Sequence, residues 1–261
     1  MKIKNLLSLP VSLKTDLVGQ SLFLEGGREA VLLIHGYTGI TDELSYFAWQ
    51  LHSAGYTVSV PRLPGHGTCG EDFQATGATD WYRKVVDTYA DLRAKYSVIH
   101  WAGLSMGGLL ALLGAVQFEG KSLILAAPAL KVYDWRLSLT PFLRYIFKRR
   151  EKKEYIFEGI EEYRNIALSY WRYNWPVQAS ELLKLQRLAI KALPRYTGKL
   201  LILLGGKDDT VPPSVSDLIR KKALNAKVEA YTFTQSGHVV LNGEERAEVA
   251  EKVVKWLTAH P

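Results

Sequence analysis

Short apolar runs along the chain alternate with longer segments in which apolar residues recur every three or four positions. The runs predict strands near residues 30–34, 56–60, 97–102, 121–126, 200–204 and 227–233, after a first strand pair at about 11–25. The intervening segments predict helices over residues 43–54, 80–95 (with Thr79 as N-cap) and 244–258. This alternation predicts an α/β fold with a mostly parallel sheet and helices on both faces.

One stretch interrupts the alternation. Residues 129–195 separate two predicted strands by more than a strand-to-helix connection needs, and they are rich in aromatic and charged side chains. We interpret this stretch as a mostly helical cap inserted into a core domain of residues 1–128 and 196–261. A helical extension packed on the sheet is the alternative.

A Gly-x-Ser-x-Gly pattern at residues 103–107 lies between a predicted strand and a helix-like run. In that context the serine is held on a tight turn with its hydroxyl at the edge of the sheet, and the glycines let the strained turn form. The first amides of the helix point at the same place. Ser105 is therefore a candidate nucleophile, although an ordinary strand-to-helix turn would also use small residues.

A serine nucleophile needs a general base, and the base needs a carboxylate that orients it. Asp208 follows the predicted strand near residues 200–204, and His238 follows the strand near 227–233. The order Ser, Asp, His is the one required in α/β-hydrolases, and all three residues follow strands. Asp209, and more remotely Asp134, are alternative acids.

A third loop offers the donors that a tetrahedral oxyanion requires. Residues 35–39 read His-Gly-Tyr-Thr-Gly and follow the strand near residues 30–34. One donor in such sites is the backbone N–H after the nucleophile, here Met106, and the other comes from this early loop, for which Tyr37 is the candidate. His35 is predicted to be structural, with hydrogen bonds to the loops of the site.

These motifs resemble the serine carboxylesterase and monoacylglycerol lipase group of the α/β-hydrolase superfamily, of the small bacterial type. The resemblance rests on residues 35–39, 61–68, 103–108, 208–213 and 236–239, which bracket about residues 28–258. It implies a triad of Ser105, Asp208 and His238, with the Tyr37 and Met106 amides as the oxyanion hole. The family pattern places the acid three residues before the valine of Val-Pro, which favours Asp208. Residues 129–195 match no family motif.

The predicted function is hydrolysis of carboxylic esters through an acyl-enzyme, on short-to-medium acyl esters or monoacylglycerols. Two alternatives stay open: a serine hydrolase for a thioester or carbon–carbon bond, and a ligand receptor on a hydrolase fold. The mechanism needs no cofactor, and no histidine pair has metal-ligand spacing, so neither cofactor nor metal is predicted.

Composition limits the other classes of protein. The 261 residues suit one large domain, and the net charge of +7 comes from scattered basic residues without a nucleic-acid-binding motif, so no nucleic-acid partner is expected. Cys69 is the single cysteine, which excludes an intrachain disulfide; it is a remote alternative nucleophile. No stretch approaches the ~20 apolar residues of a membrane span. We expect a soluble, cytoplasmic protein without stable membrane insertion.

Part of the cap is strongly apolar and is followed by a basic run at residues 148–153. The apolar residues are Leu137, Leu139, Phe142, Leu143, Ile146 and Phe147. Core packing of a cap helix is one interpretation. The other is an acyl tunnel with the basic residues at its mouth or near a lipid surface, which allows transient contact of the cap with lipid.

Overall fold

The computed structural model of the protein describes residues 19–152, 168 and 171–259. Seven strands form the main sheet: β1 (Leu22–Leu24), β2 (Glu29–Ile34), β3 (Thr57–Val60), β4 (Val98–Leu104), β5 (Ser122–Ala126), β8 (Lys199–Gly205) and β9 (Lys227–Phe233). Their order across the sheet is β1-β3-β2-β4-β5-β8-β9, and only β1 is antiparallel to its neighbour. Two short strands, β6 (Arg150–Glu151) and β7 (Tyr173–Asn174), pair separately.

Helices connect the parallel strands and cover both faces of the sheet. They are α1 (Ser45–Ser53), α2 (Gly70–Gln74), α3 (Ala78–Arg93), α4 (Met106–Gln117), α5 (Thr140–Leu143), α6 (Pro176–Ala192), α7 (Val215–Lys222) and α8 (Arg246–Thr258). Among the described residues, 3₁₀ helices lie at Thr41–Leu44, Trp135–Leu139, Leu193–Arg195 and Val240–Asn242. The α/β-hydrolase fold class predicted from the sequence is confirmed.

The six predicted parallel strands are confirmed to within two residues at each end. The first strand pair and the start of α3 do not match the prediction as fully. The strand pair at residues 11–25 falls partly outside the described residues, and its described strand, β1, pairs with β3. Thr79 is not the N-cap of α3, because it lies inside the helix. The cap is Gly77, whose N–H donates to the Asp80 carboxylate at 3.0 Å.

Two apolar clusters sandwich the sheet, and β2 shows why. Leu32 and Ile34 belong to the cluster under α3, α4 and α6, whereas Val31 and Leu33 belong to the cluster under α1 and α8. Since successive side chains point to opposite faces, a strand covered on both sides must be apolar throughout. Both faces of the inner strands are therefore largely apolar, with His100 in β4, 2.9 Å from the Glu29 carboxylate, as an exception. The loops at the strand ends are where a site with several polar groups can form.

The segment 129–195 divides into two parts. Its last helix, α6, packs on α3 and α4, and Leu182, Leu185 and Ala189 join the main core. The described part ahead of it is irregular, with one 3₁₀ helix, α5 and the β6–β7 pair. For α6, this packing supports the alternative interpretation, a helical extension packed on the sheet. The boundaries of a cap stay a prediction.

The apolar stretch in this segment is largely exposed. Phe142 is 74% and Ile146 is 68% exposed, and Leu139 and Phe147 are also open to solvent. The interpretation that these four side chains pack in a core is therefore wrong. Helix α5 is only four residues long, and its buried residue is Thr140. Within the described chain, no helix is both long and apolar enough to cross a membrane.

Candidate active site

Ser105 stands on a strained turn between β4 and α4. Its φ of 56° and ψ of −115° lie in a region that residues with a side chain rarely adopt. Two glycines make the turn possible. A Cβ on Gly103 would lie 2.2 Å from the Gly107 carbonyl oxygen, and one on Gly107 would lie 2.0 Å from that of Ile34. The first turn of α4 is thus pressed against the backbones of β2 and β4.

The loop after β2 lies directly beside this serine. A Cβ on Gly36 would be 3.4 Å from the Ser105 Cβ and 4.0 Å from its Oγ. Met106 is the first residue of α4, so its N–H has no acceptor within the helix and is available to a ligand. The two predicted oxyanion donors therefore lie on either side of Ser105: Tyr37 is in the loop after β2, and Met106 is at the start of α4.

Asp208 and His238 are in contact at the same edge of the sheet. His238 Nδ1 is 2.9 Å from Asp208 Oδ2. The other oxygen, Oδ1, accepts the backbone N–H groups of Thr210 at 2.8 Å and Val211 at 2.9 Å. Burial by itself raises the pKa of the Asp208 carboxyl, but these hydrogen bonds outweigh it and hold the pKa below its usual value. The carboxylate therefore stays ionised and orients the imidazole.

The alternative acids lie elsewhere. Asp209 is exposed and accepts only the Thr210 hydroxyl, at 3.1 Å. Asp134 forms an exposed ion pair with Arg136, with 2.8 Å between Oδ1 and Nε. Neither contacts His238. Among the described residues, no group of three or more His, Cys, Asp or Glu side chains is arranged to hold a metal ion.

Aromatic side chains fix the loop that carries Tyr37. The Tyr37 hydroxyl donates to the Trp175 carbonyl at 3.3 Å, and Trp171 Nε1 donates to the Thr38 carbonyl at 2.8 Å. The Tyr37 ring packs on Phe73, with 5.6 Å between the ring centroids. Burial raises the pKa of the Tyr37 hydroxyl. Sequence analysis missed these supports because nothing local relates residues 171–175 to residue 37.

His35 is a structural residue, as predicted. Its Nε2 accepts the Leu63 N–H at 3.1 Å, which leaves the proton on Nδ1, 3.0 Å from the Gly36 carbonyl. Burial lowers the pKa of His35 to about 4, so the ring is neutral at pH 7. Its neighbour His66 is also buried, and burial lowers its pKa as well. The pair joins the loops after β2 and β3 without adding charge.

Glu245 holds the loop that precedes His238, and sequence analysis did not single it out. Its Oε2 accepts the N–H groups of Gln235 and Ser236, both at 2.9 Å, and the Ser236 hydroxyl at 2.8 Å. Glu245 is the N-cap residue of α8. An acidic residue just ahead of a helix is the one signal that could have identified it.

The chain matches the Alpha/beta hydrolase family over residues 31–252 and therefore belongs to that family. A thermostable monoacylglycerol lipase from Bacillus sp. (strain H-257) is 28% identical over 244 residues, which cover 92% of this chain and 95% of that protein. A carboxylesterase from Bacillus subtilis (strain 168) is 25% identical over 238 residues, which cover 89% of this chain and 94% of that protein.

Solved structures agree with this assignment. A metagenome-derived lipolytic enzyme, from the pair LipS and LipT, superposes with a TM-score of 0.82 at 27% identity and covers 93% of this chain and 98% of its own. A monoacylglycerol lipase from Paleococcus ferrophilus has a TM-score of 0.71 at 17% identity, over 92% of this chain and 98% of its own. At that identity the likeness shows the fold alone. The resemblance inferred from the sequence motifs is confirmed.

The close approach at Gly107 can be tested against its neighbour Gly108. Gly107→Ala places a methyl group against backbone that cannot withdraw, and we expect it to lower the free energy of unfolding by about 3 kcal/mol. In Gly108→Ala, the new Cβ would lie 3.3 Å from its nearest neighbouring atoms, the Gly103 carbonyl oxygen and the Pro128 Cβ. Alanine also favours a helix over glycine by up to ~1 kcal/mol, so this control should be nearly neutral. Urea unfolding measures both, and equal losses would contradict the packing argument.

Proposed function

We propose that this protein is a serine carboxylic-ester hydrolase that cleaves short-to-medium acyl esters or monoacylglycerols. Ser105 is the nucleophile, His238 the general base, and Asp208 the acid that orients it. The backbone N–H groups of Tyr37 and Met106 bind the oxyanion. The observation that carries the proposal is the 2.9 Å contact of His238 Nδ1 with an ionised Asp208, at the sheet edge where Ser105 stands on its strained turn.

The reaction follows from these positions as two acyl transfers. Ser105 Oγ attacks the ester carbonyl carbon while His238 takes the hydroxyl proton through Nε2, since Nδ1 is held by Asp208. The carbonyl oxygen gains the negative charge, which the two amides stabilise. His238 then gives the proton to the leaving alcohol as the C–O bond breaks. Water, deprotonated by the same histidine, releases the acid and restores Ser105.

The nucleophile can be identified directly. A fluorophosphonate probe should label Ser105 once per chain, and Ser105→Ala should fold normally yet lose esterase activity by several orders of magnitude. Cys69→Ser is the control for the other nucleophile considered, and its activity should be unchanged. Mass spectrometry of the labelled peptide and hydrolysis of p-nitrophenyl butyrate provide the readouts. Labelling elsewhere, or an active Ser105→Ala variant, would refute the assignment.

The acid can be tested with its own neighbour as control. Asp208→Asn removes the charge that fixes the His238 tautomer and should lower kcat on the order of 10⁴-fold, whereas the exposed Asp209 should tolerate Asn with a change of less than about tenfold. Steady-state kinetics of both variants at one pH decide the matter. The reverse ranking would rule out Asp208.

The substrate class rests on the relatives and on the surface. The two curated relatives are named for monoacylglycerol and carboxylic-ester hydrolysis. We define the cap patch as the exposed side chains Trp135, Phe142, Tyr145 and Ile146. Exposed basic residues, Lys148 and Arg150, follow it closely in the chain. Apolar side chains beside cations suit transient contact with an anionic lipid surface, where monoacylglycerols reside.

The cap patch predicts different behaviour on dissolved and on membrane-borne substrate. The double variant Phe142→Ala/Ile146→Ala should bind vesicles of phosphatidylcholine with one-fifth phosphatidylglycerol at least about tenfold more weakly, because each lost CH₂ is worth ~0.8 kcal/mol. Hydrolysis of soluble p-nitrophenyl butyrate should be unchanged. Leu224→Ala removes an equally exposed leucine from another surface and serves as control. A parallel loss on both substrates would show that the patch supports folding instead.

One panel of substrates tests the two alternatives, a hydrolase of another bond and a ligand receptor. Esters, acyl-CoA thioesters and monoacylglycerols tested in parallel distinguish an esterase from a hydrolase of another bond. Turnover far below the typical ~10 s⁻¹ on all of them would favour a ligand receptor. A cytoplasmic location is part of the proposal, and it is supported by the single cysteine of the chain, Cys69, which excludes an intrachain disulfide and suits a reducing compartment.

A further inference from the structure

Ser236 is a buried residue whose hydrogen bonds reach the loops of both the acid and the base of the proposed triad. It lies two residues before His238, and its N–H and hydroxyl both donate to Glu245 Oε2, at 2.9 and 2.8 Å. Its carbonyl oxygen accepts the N–H of Lys207, the residue before Asp208, at 3.0 Å. A single residue therefore connects the two loops with a carboxylate that the mechanism above does not use.

The backbones of these two loops are also packed tightly against each other. A Cβ on Gly205 would lie 2.2 Å from the Gly237 carbonyl oxygen. The Gly206 N–H donates to the Phe233 carbonyl at 2.7 Å. Because glycine permits this approach and backbone cannot withdraw from it, the loop after β8 cannot shift without the loop after β9. The 2.9 Å contact between the acid and the base of the triad thus depends on how firmly this pair of loops is held.

Glu245 ties this pair of loops to a helix of the core. It is the N-cap residue of α8, in which Val249 and Val253 are fully buried. Besides the two donors of Ser236, its Oε2 accepts the Gln235 N–H at 2.9 Å. Hydrogen bonds to a carboxylate are roughly twice as strong as those to a neutral acceptor. The Glu245 side chain therefore anchors the loop of the base to a rigid element.

We propose that Glu245 and Ser236 are positioning residues of the triad, which hold Asp208 and His238 at hydrogen-bonding distance during acyl transfer. They act through the two loops and not by contact with the ester. The inference rests on the proposed roles of Asp208 and His238. Catalysis is sensitive to such support, because a misplacement of about 1 Å can lower a rate on the order of 100-fold.

The kinetic test compares Glu245→Ala with Glu244→Ala. Glu244 is the adjacent, exposed glutamate, so its variant removes the same charge from the same turn and should change kcat less than about twofold. Glu245→Ala removes the acceptor of three hydrogen bonds and should lower kcat on p-nitrophenyl butyrate about tenfold to 100-fold, with KM within about twofold. Glu245→Gln keeps an acceptor oxygen and should recover most of that loss. Equal kcat values for the two alanine variants overturn the proposal.

A double-variant cycle separates positioning from a general loss of structure. If Glu245 acts only through the acid–base pair, Glu245→Ala should cost less than about twofold in kcat once Asp208→Asn has already broken that pair. A merely structural glutamate would lower kcat by the same factor in both backgrounds, and that result overturns the proposal. Ser236→Ala removes one of the three hydrogen bonds and should give a smaller loss with the same dependence on Asp208. If Glu245→Ala fails to fold, Ser236→Ala takes its place in every measurement.

A direct measurement separates this inference from the proposed function. In protein labelled with ¹⁵N at histidine, the downfield N–H proton signal that is absent from both His238→Ala and Asp208→Asn reports the contact between these two residues. The signal should move upfield or broaden in Glu245→Ala and stay in place in Glu244→Ala. This readout needs no turnover. If the signal does not move in Glu245→Ala, the proposal fails even where Ser105→Ala is inactive. If Ser105→Ala stays active while the signal moves, the proposed function fails and the positioning of the acid–base contact stands.

Discussion

The close contact between α4 and the strands beside it is the constraint on which the site depends. Gly103 and Gly107 let backbones approach to distances that no Cβ would allow, and Ser105 is left with a positive φ. Such a conformation costs of order 1–3 kcal/mol and persists only where surrounding structure fixes it. Here α4 supplies that support, because eight of its first nine residues are buried and Leu113 is the exception. Packing of the core thereby holds the serine at the sheet edge.

Carboxylates hold the other loops at this edge, each in the same way. Loops that leave parallel strands have backbone N–H groups without ladder partners, and an ionised acid can accept several of them. Asp208 does this after β8 and Glu245 does it after β9. The histidines His35 and His66 are instead buried and neutral. The carboxylate of Asp208 thus lies beside His238, the histidine at this edge that the proposed mechanism protonates.

Sequence patterns predicted the strands well because both faces of the sheet are covered. The inner parallel strands are mostly apolar along their length, which is a local and visible signal, as in residues 30–34, whereas the edge strand β9 carries Lys227, Glu229 and Thr232. Helix starts were less certain. Thr79 has the right chemistry for a cap, yet Gly77 occupies that position because Asp80 reaches back to its N–H. The exposed Phe142 and Ile146 also misled, since apolar residues at helical spacing usually mark a buried face.

The sequence by itself determined the α/β architecture, the family and the candidates Ser105, Asp208 and His238, because each candidate lies in a short motif next to a strand. Only the tertiary structure decided which groups surround them. Asp208 rather than Asp209 contacts His238, Trp171 and Trp175 hydrogen-bond to the Tyr37 loop, and Glu245 holds the loop ahead of His238. These contacts join residues up to 138 positions apart. No local pattern encodes them, since they exist only once the sheet has brought the strand ends together.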